Sequence, residues 1–211
     1  MAAVGVYEEE QMNDVIIHYD RLIDEDNDPF RDPPPLREYM DKWDGADFIS
    51  ALALKKNDSV LEIGIGTGRL AAKTAPLCAS LTGIDISPKT IRRAEENLLY
   101  LENVQLICGD FLQYSFVQSF DVIYSTLTFM HFEDKYMAVS KVAALLSDGG
   151  RFVLSVDKDN SGFIDMGNYR LTTYPDSPEN IARCAERCGT LKLKQELETE
   201  LAHILVFEKR H

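Results

Sequence analysis

The sequence predicts an α/β fold: a doubly wound, mainly parallel sheet with helices on both faces, preceded by a helical arm. Three observations carry that reading. Residues 60–69 run V-L-E-I-G-I-G-T-G-R, a short apolar strand that ends in glycines on alternate positions, Gly64, Gly66 and Gly68. A helical stretch starts directly behind them at Leu70, so the loop sits at a helix N-terminus, where unpaired N–H groups face a ligand. From Ser59 onward, short apolar runs alternate with helical periodicity, the signature of strand–helix–strand units.

The elements follow in order. In the arm, residues 1–58, Val15, Ile16, Tyr19, Leu22 and Ile23 recur at helical spacing. Residues 26–35, with Pro33, Pro34 and Pro35, break that helix, and 36–54 resume it with Trp43 and Phe48 as apolar anchors and Gly45 as an interruption. Residues 55–58 form a polar turn. The first strand spans 59–63 and the helix behind the glycines 69–77. A second strand, 81–86, is closed by Ser87-Pro88, a helix start with Ser as N-cap and Pro at the first position. Ile91, Ala94 and Leu98 then mark one apolar helix face. Strand three is 104–108, closed by Gly109-Asp110, and strand four is 120–125. A helix over 133–146 stops at Asp148-Gly149-Gly150, where a turn precedes strand five, 151–156. Residues 157–176 read as a loop-like excursion. Ser177-Pro178-Glu179 opens a helix that Gly189 ends. The last stretch, 191–209, suits either a helix or two strands, and two antiparallel strands turning near Thr199 are preferred.

Composition bounds the function. The hydrophobic share of 45% and charged share of 27% are those of an ordinary globular chain, expected here to form one domain. No apolar run approaches the ~18 residues of a membrane span, and the first residues lack a secretory pattern. A cytoplasmic address without membrane attachment is therefore expected. The net charge of −13, without a basic cluster, argues against a nucleic-acid partner, whose phosphates want a basic face. Cys184 and Cys188 lie one helical turn apart, but no second pair matches them. Buried thiols are expected rather than a metal site.

Open parallel sheets hold ligands at the carboxyl ends of their strands, and this puts Gly64–Gly68, Asp85, Asp110 and Ser125 on one rim. A dinucleotide loop wants G-x-G-x-x-G, yet here Arg69 occupies the third position and the glycine falls one residue earlier. Asp85 fits ribose hydroxyls with either cofactor.

With Glu62 two residues upstream, the segment Glu62-Ile63-Gly64-Ile65-Gly66-Thr67-Gly68 resembles the first motif of the class I S-adenosylmethionine-dependent methyltransferases. The likeness runs in motif order to Val156 and is greatest to the small-molecule enzymes of the ubiquinone/menaquinone-biosynthesis type. It implies a Rossmann-like, doubly wound, mostly parallel seven-stranded sheet with an antiparallel last strand. It divides the one domain, 1–211, into a lid (1–58), a cofactor-binding core (59–157) and a C-terminal helix and hairpin (158–211). It also implies S-adenosyl-L-methionine as cofactor and roles for its residues. Glu62 would stand near the methionine end, with Gly64, Ile65, Gly66, Thr67 and Gly68 passing close to the cofactor. Asp85 would accept the ribose hydroxyls, and Ile86 would pack on adenine. Asp110 would receive the adenine amino group, with Phe111 as a wall, while Ser125 and Thr126 would line the methionine side. Tyr19 resembles an arm tyrosine that reaches over the cofactor. Each has an ordinary reading too: Glu62 as a solvated strand end, Asp85 as a helix-start carboxylate, Asp110 as a turn residue, Tyr19 as a core-face aromatic. The usual proline before Gly149-Gly150 is absent, which bears on turn rigidity.

The resemblance implies an in-line displacement that transfers methyl to a small molecule. The protein mainly aligns the reactants and excludes water, and a base is needed only if the acceptor must lose a proton. His131, just after strand four, is the candidate base, with packing as its other role; His18, His203 and His211 lack supporting neighbours. Tyr7, Tyr19, Phe30, Phe129, Phe132, Phe163 and Tyr169 are candidates to wall the acceptor pocket or to pack the arm. A catalytically silent cofactor-binding partner of another enzyme and a methyltransferase acting on protein or RNA remain alternatives. The acceptor atom and oligomeric state are open.

Overall fold

Apolar side chains on both faces of the central strands decide the architecture. The computed structural model describes residues 2–210, with side chains described from Met12 onward. Its strands are β1 Ser59–Ile63, β2 Ser80–Asp85, β3 Val104–Cys108, β4 Phe120–Thr126, β5 Leu146–Asp157, β6 Phe163–Asp165, β7 Arg170–Thr172, β8 Leu191–Glu198 and β9 Ala202–Lys209. The main sheet has seven strands in the order β3-β2-β1-β4-β5-β9-β8. β9 runs antiparallel between β5 and β8, and the five strands from β3 to β5 are mutually parallel. The strand order reverses between β1 and β4, so the crevice at their carboxyl ends is the topological switch point.

Alternation along β1 sends Leu61 and Ile63 to one face and Val60 and Glu62 to the other. The first face packs on α6 Lys135–Leu145 and α7 Pro178–Cys188 around Ile123, Phe152 and Phe207. The second packs on α3 Ala46–Leu52, α4 Ala71–Thr74 and α5 Pro88–Asn97 around Phe48, Leu70, Ile91 and Tyr124. Ser87 caps α5 as expected, its hydroxyl accepting from the Thr90 amide at 3.1 Å. Ser177 caps α7, and Gly189 ends it at φ +75°. The arm consists of α1 Ala2–Asp24 and α2 Pro34–Asp44, with Gly45 separating α2 from α3.

Two expectations are corrected. Asp148-Gly149-Gly150 is not a free turn: β5 already pairs at Leu146↔Phe120, and Gly149 at φ +74° bulges the strand before Arg151↔Val122. The excursion over 157–176 contains the hairpin of β6 and β7, whose three-residue strands are too short to show an alternation in sequence. Among the described residues no helix is long and apolar enough to cross a membrane, and no group of three or more His, Cys, Asp or Glu could hold a metal. Cys184 and Cys188 are half-buried free thiols on α7.

Candidate functional site

A cavity of about 730 Å³ lies at the carboxyl ends of β1, β2 and β4, under α1 and α2. Its size is that of a cofactor or substrate site. The glycine loop forms its floor, and each glycine is there for a different reason. A Cβ on Gly64 (φ +75°) would stand 1.9 Å from the Thr128 hydroxyl, so this position lets the segment after β4 close over the loop. Gly66 (φ +57°) has nothing within 4 Å of where its Cβ would be, so bare backbone faces the open space. Gly68 (φ +91°) packs against Leu98, 2.7 Å from the Cβ position, and does not line the cavity. The place expected for it on the cavity is therefore corrected to packing against Leu98.

Ser125 is the other correction. It is fully buried, and its hydroxyl donates to the Ile63 carbonyl at 2.9 Å, tying β4 to β1 behind the cavity. Its neighbour Thr126 lines the space instead. Glu62, Ile65, Thr67, Ile86, Phe111 and Tyr19 all line the cavity, as do Asp85 and Asp110. The Asp85 carboxylate accepts from the Gly66 and Ser87 amides, both at 3.0 Å, while burial holds its pKa above the usual carboxylate value. Asp110 accepts from the Leu112 amide at 2.8 Å, so the turn role and a position on the rim coexist. Glu62 is 2% exposed, and burial pushes its pKa up to about 8 even though the Tyr124 hydroxyl donates to it at 2.7 Å.

Tyr19 on α1 and His131 after β4 meet at 2.8 Å, hydroxyl to Nε2, with their rings edge to face. His131 Nδ1 is buried and has no hydrogen-bond partner among the described residues. Burial, with His18 and Lys135 adding to it, pushes the imidazole pKa down to about 4, so the ring is neutral near pH 7. His18, which lacked neighbours in sequence, pairs through Nδ1 with the Tyr169 hydroxyl at 2.8 Å and so joins the arm to the β6–β7 hairpin.

The contacts that hold the arm down were not read from the sequence. Arg69 meets the fully buried Asp44 through Nη1 at 2.8 Å and through Nη2 in a second bond, and Asp44 also accepts from Thr126. Asp28 accepts from Asn97 and Arg93, while Asn97 also donates to the Thr67 carbonyl at 3.0 Å. Asp20 accepts from the Ser87 hydroxyl at 2.7 Å and from the Lys89 amide at the start of α5, where the helix dipole favours a carboxylate.

The wall beyond the loop is also corrected. Of the expected aromatics, Tyr19 and Phe132 line the cavity, but Phe129 is 2% exposed in the core, and Phe30, Phe163 and Tyr169 do not reach it. The side chain of Tyr7 lies outside the described residues. Met12, Met40, Met130 and Met137 supply the apolar surface instead, in positions that only the tertiary fold brings together.

Residues 60–150 match the family model described as a methyltransferase domain. An uncharacterized methyltransferase of Anoxybacillus flavithermus is 31% identical over 167 residues, covering 77% of this chain and 71% of the relative. One from Geobacillus thermodenitrificans is 34% identical over 139 residues, covering 64% and 62%. Among solved structures, the N-methyltransferase NodS of Bradyrhizobium japonicum in complex with S-adenosyl-L-homocysteine has a TM-score of 0.67 at 21% identity, covering 86% of this chain and 90% of its own. The magnesium protoporphyrin IX methyltransferase of Synechocystis, with bound S-adenosylmethionine, has a TM-score of 0.73 at 17% identity, covering 94% and 97%. These last two likenesses are of fold.

Proposed function

The chain belongs to the class I S-adenosylmethionine-dependent methyltransferases, and from that premise we propose that it methylates a small molecule held in the cavity beneath its arm. One observation carries the proposal: the cavity lined by the glycine loop, Asp85 and Asp110 is also walled by apolar side chains from α1, α2 and the segment after β4, and we read that part as the acceptor chamber. A silent cofactor-binding partner would need no such apolar wall beneath the arm. A protein or RNA acceptor would have to displace the arm, and the net charge of −13 disfavours the latter.

The residues present suit the cofactor, which when bound supplies a methyl group activated on a sulfonium. The bare Gly66 backbone admits close approach. In this reading Asp85 takes the ribose hydroxyls while its amide bonds to Gly66 and Ser87 fix its orientation. Ile86 and Phe111 flank the adenine, and Asp110 accepts from its amino group. Glu62, Ile65 and Thr67 surround the methionine end, where an arriving ammonium would favour the ionised form of Glu62. Residues 1–58 act as a lid on the core of 59–157, with 158–211 completing the sheet.

His131 is assigned a positioning role rather than that of the base. Its pKa of about 4 makes it a poor proton acceptor, and its Nε2 holds Tyr19 over the chamber. Alignment and exclusion of water under the closed arm then supply the rate, an effect worth up to about 7–11 kcal/mol. Calorimetric titration with S-adenosylmethionine and S-adenosylhomocysteine is the first test, and absence of binding to the purified protein would remove the reading. Release of S-adenosylhomocysteine with small acceptors is the second.

A further inference from the structure

We propose that the acceptor is an apolar amine that reacts at nitrogen, a reading that rests on the methyltransferase assignment above. The chamber is walled by Met12, Val15, Met40, Met130, Phe132 and Met137, which take an apolar frame of adaptable shape. Its ionisable lining is nearly all acidic. Glu62, Asp85 and Asp110 line the part assigned to the cofactor, Glu133 and Asp134 are left to face the acceptor, and among the described residues Arg69 and His131 are the basic side chains on the wall. Arg69 is held by two bonds to buried Asp44. Residues 1–11 contain no Lys, Arg or His that could add a cation from the arm. An anionic acceptor would lose its hydration in a site that offers it carboxylates and no free cation, a costly transfer.

Neutral acids fare little better. A phenol or a carbon acid must lose a proton as it attacks, and the imidazole on this wall is weakly basic and already engaged by Tyr19 at 2.8 Å. An alkylamine arrives as the ammonium and first gives one proton to water; the neutral amine then attacks through its lone pair, whereas a phenol would have to attack as an anion among carboxylates. The nitrogen pair forms the N–C bond to the methyl group while the C–S bond breaks, its electrons remaining on sulfur as a neutral thioether. The positive charge thereby moves from sulfur to nitrogen, and a proton of the new ammonium leaves to water. Glu133 and Asp134 favour the ammonium that arrives and the ammonium that forms, and disfavour an anionic nucleophile. Glu133 and Asp134 at the mouth draw the amine in from solution.

The test uses the full chain, S-adenosylmethionine and isosteric probes: 3-phenylpropylamine, 3-phenylpropanoate and 4-propylphenol, with S-adenosylhomocysteine release as readout. The expected result is a kcat/KM for the amine at least about tenfold above the other two. Equal rates, preference for the carboxylate or phenol, or no turnover of the amine would overturn the proposal. Calorimetric binding of S-adenosylmethionine to the same preparation separates this from failure of the family assignment. Met137→Lys, which sets a cation at the half-exposed lip, is expected to reduce discrimination against 3-phenylpropanoate by about tenfold. Undiminished discrimination in that variant would also count against the proposal.

Discussion

Arg69 Nη1 lies 2.8 Å from Asp44 Oδ1 and Arg69 Nη2 bonds Asp44 Oδ2, which joins the residue after the glycine loop to the last residue of α2. Asp44 is fully buried and the Arg69 side chain is 12% exposed, so neither charge can fall back on water if its partner is removed. Asp44→Ala is expected to cost about 3–5 kcal/mol of stability. In a chain of this length that is a fall in Tm of roughly 6–20 °C, readable by calorimetry. A shift below about 2 °C would show that the pair does not hold the arm.

Asp85 is the point where the loop, the helix start and the proposed ribose site meet. Asp85→Ala removes a charged acceptor from the cavity together with the bonds to Gly66 and Ser87. Affinity for S-adenosylmethionine and S-adenosylhomocysteine should drop by about 1.5–3 kcal/mol, roughly 10–150-fold. Unchanged affinity in titration calorimetry would remove the ribose assignment. Asp85→Asn, whose single side-chain oxygen keeps one of the two amide bonds, should lose less.

What the sequence revealed about this site was what local pattern encodes. The glycine loop, Asp85 and Asp110 were legible because each closes a strand within a short motif. Gly68 and Ser125 were expected on the cavity and lie off its wall, because a glycine's place in a motif does not say whether its bare Cα faces a cavity or a helix. β4 is buried on nearly every residue, so alternation gives no guide to which side of the strand Ser125 takes. Asp20, Asp28 and Asp44 were invisible among 35 acidic residues. Their partners Ser87, Asn97 and Arg69 lie 67, 69 and 25 residues away, and only the docked arm brings them together. The methionine wall was missed for the same reason, since its members come from α1, α2, the segment after β4 and α6.

Glu62 makes stability depend on pH in an unusual direction for a carboxylate. In the unfolded chain it ionises near 4.5, whereas burial delays its ionisation in the folded protein to about 8. Below the lower value both states hold the proton and its contribution is complete. Between the two, only the unfolded chain gains from ionising, so stability falls by about 1.4 kcal/mol per pH unit and levels off above the folded value. Glu62→Gln lacks this loss. Denaturant unfolding at about pH 5, 6.5 and 8 should therefore find the variant gaining on the wild type as pH rises, and parallel curves would show that Glu62 ionises normally.

The Tyr19–His131 contact separates positioning from proton transfer by experiment. A histidine with a folded pKa of about 4 is neutral throughout the range in which an unperturbed imidazole titrates, so no limb near 6.5 should arise from it. His131→Asn keeps a side-chain amide to meet the Tyr19 hydroxyl, whereas His131→Ala leaves that hydroxyl unpartnered at a cost of about 1–3 kcal/mol. Under the positioning role, the asparagine variant retains most of kcat and the shape of the wild-type pH profile. The alanine variant and Tyr19→Phe should both lose about tenfold or more. Were His131 the proton acceptor instead, asparagine and alanine would be equally inactive, and a limb present in the wild type would vanish in both. Steady-state rates of the four proteins across about pH 5.5–8 decide between the two roles, because only positioning is rescued by a neutral amide.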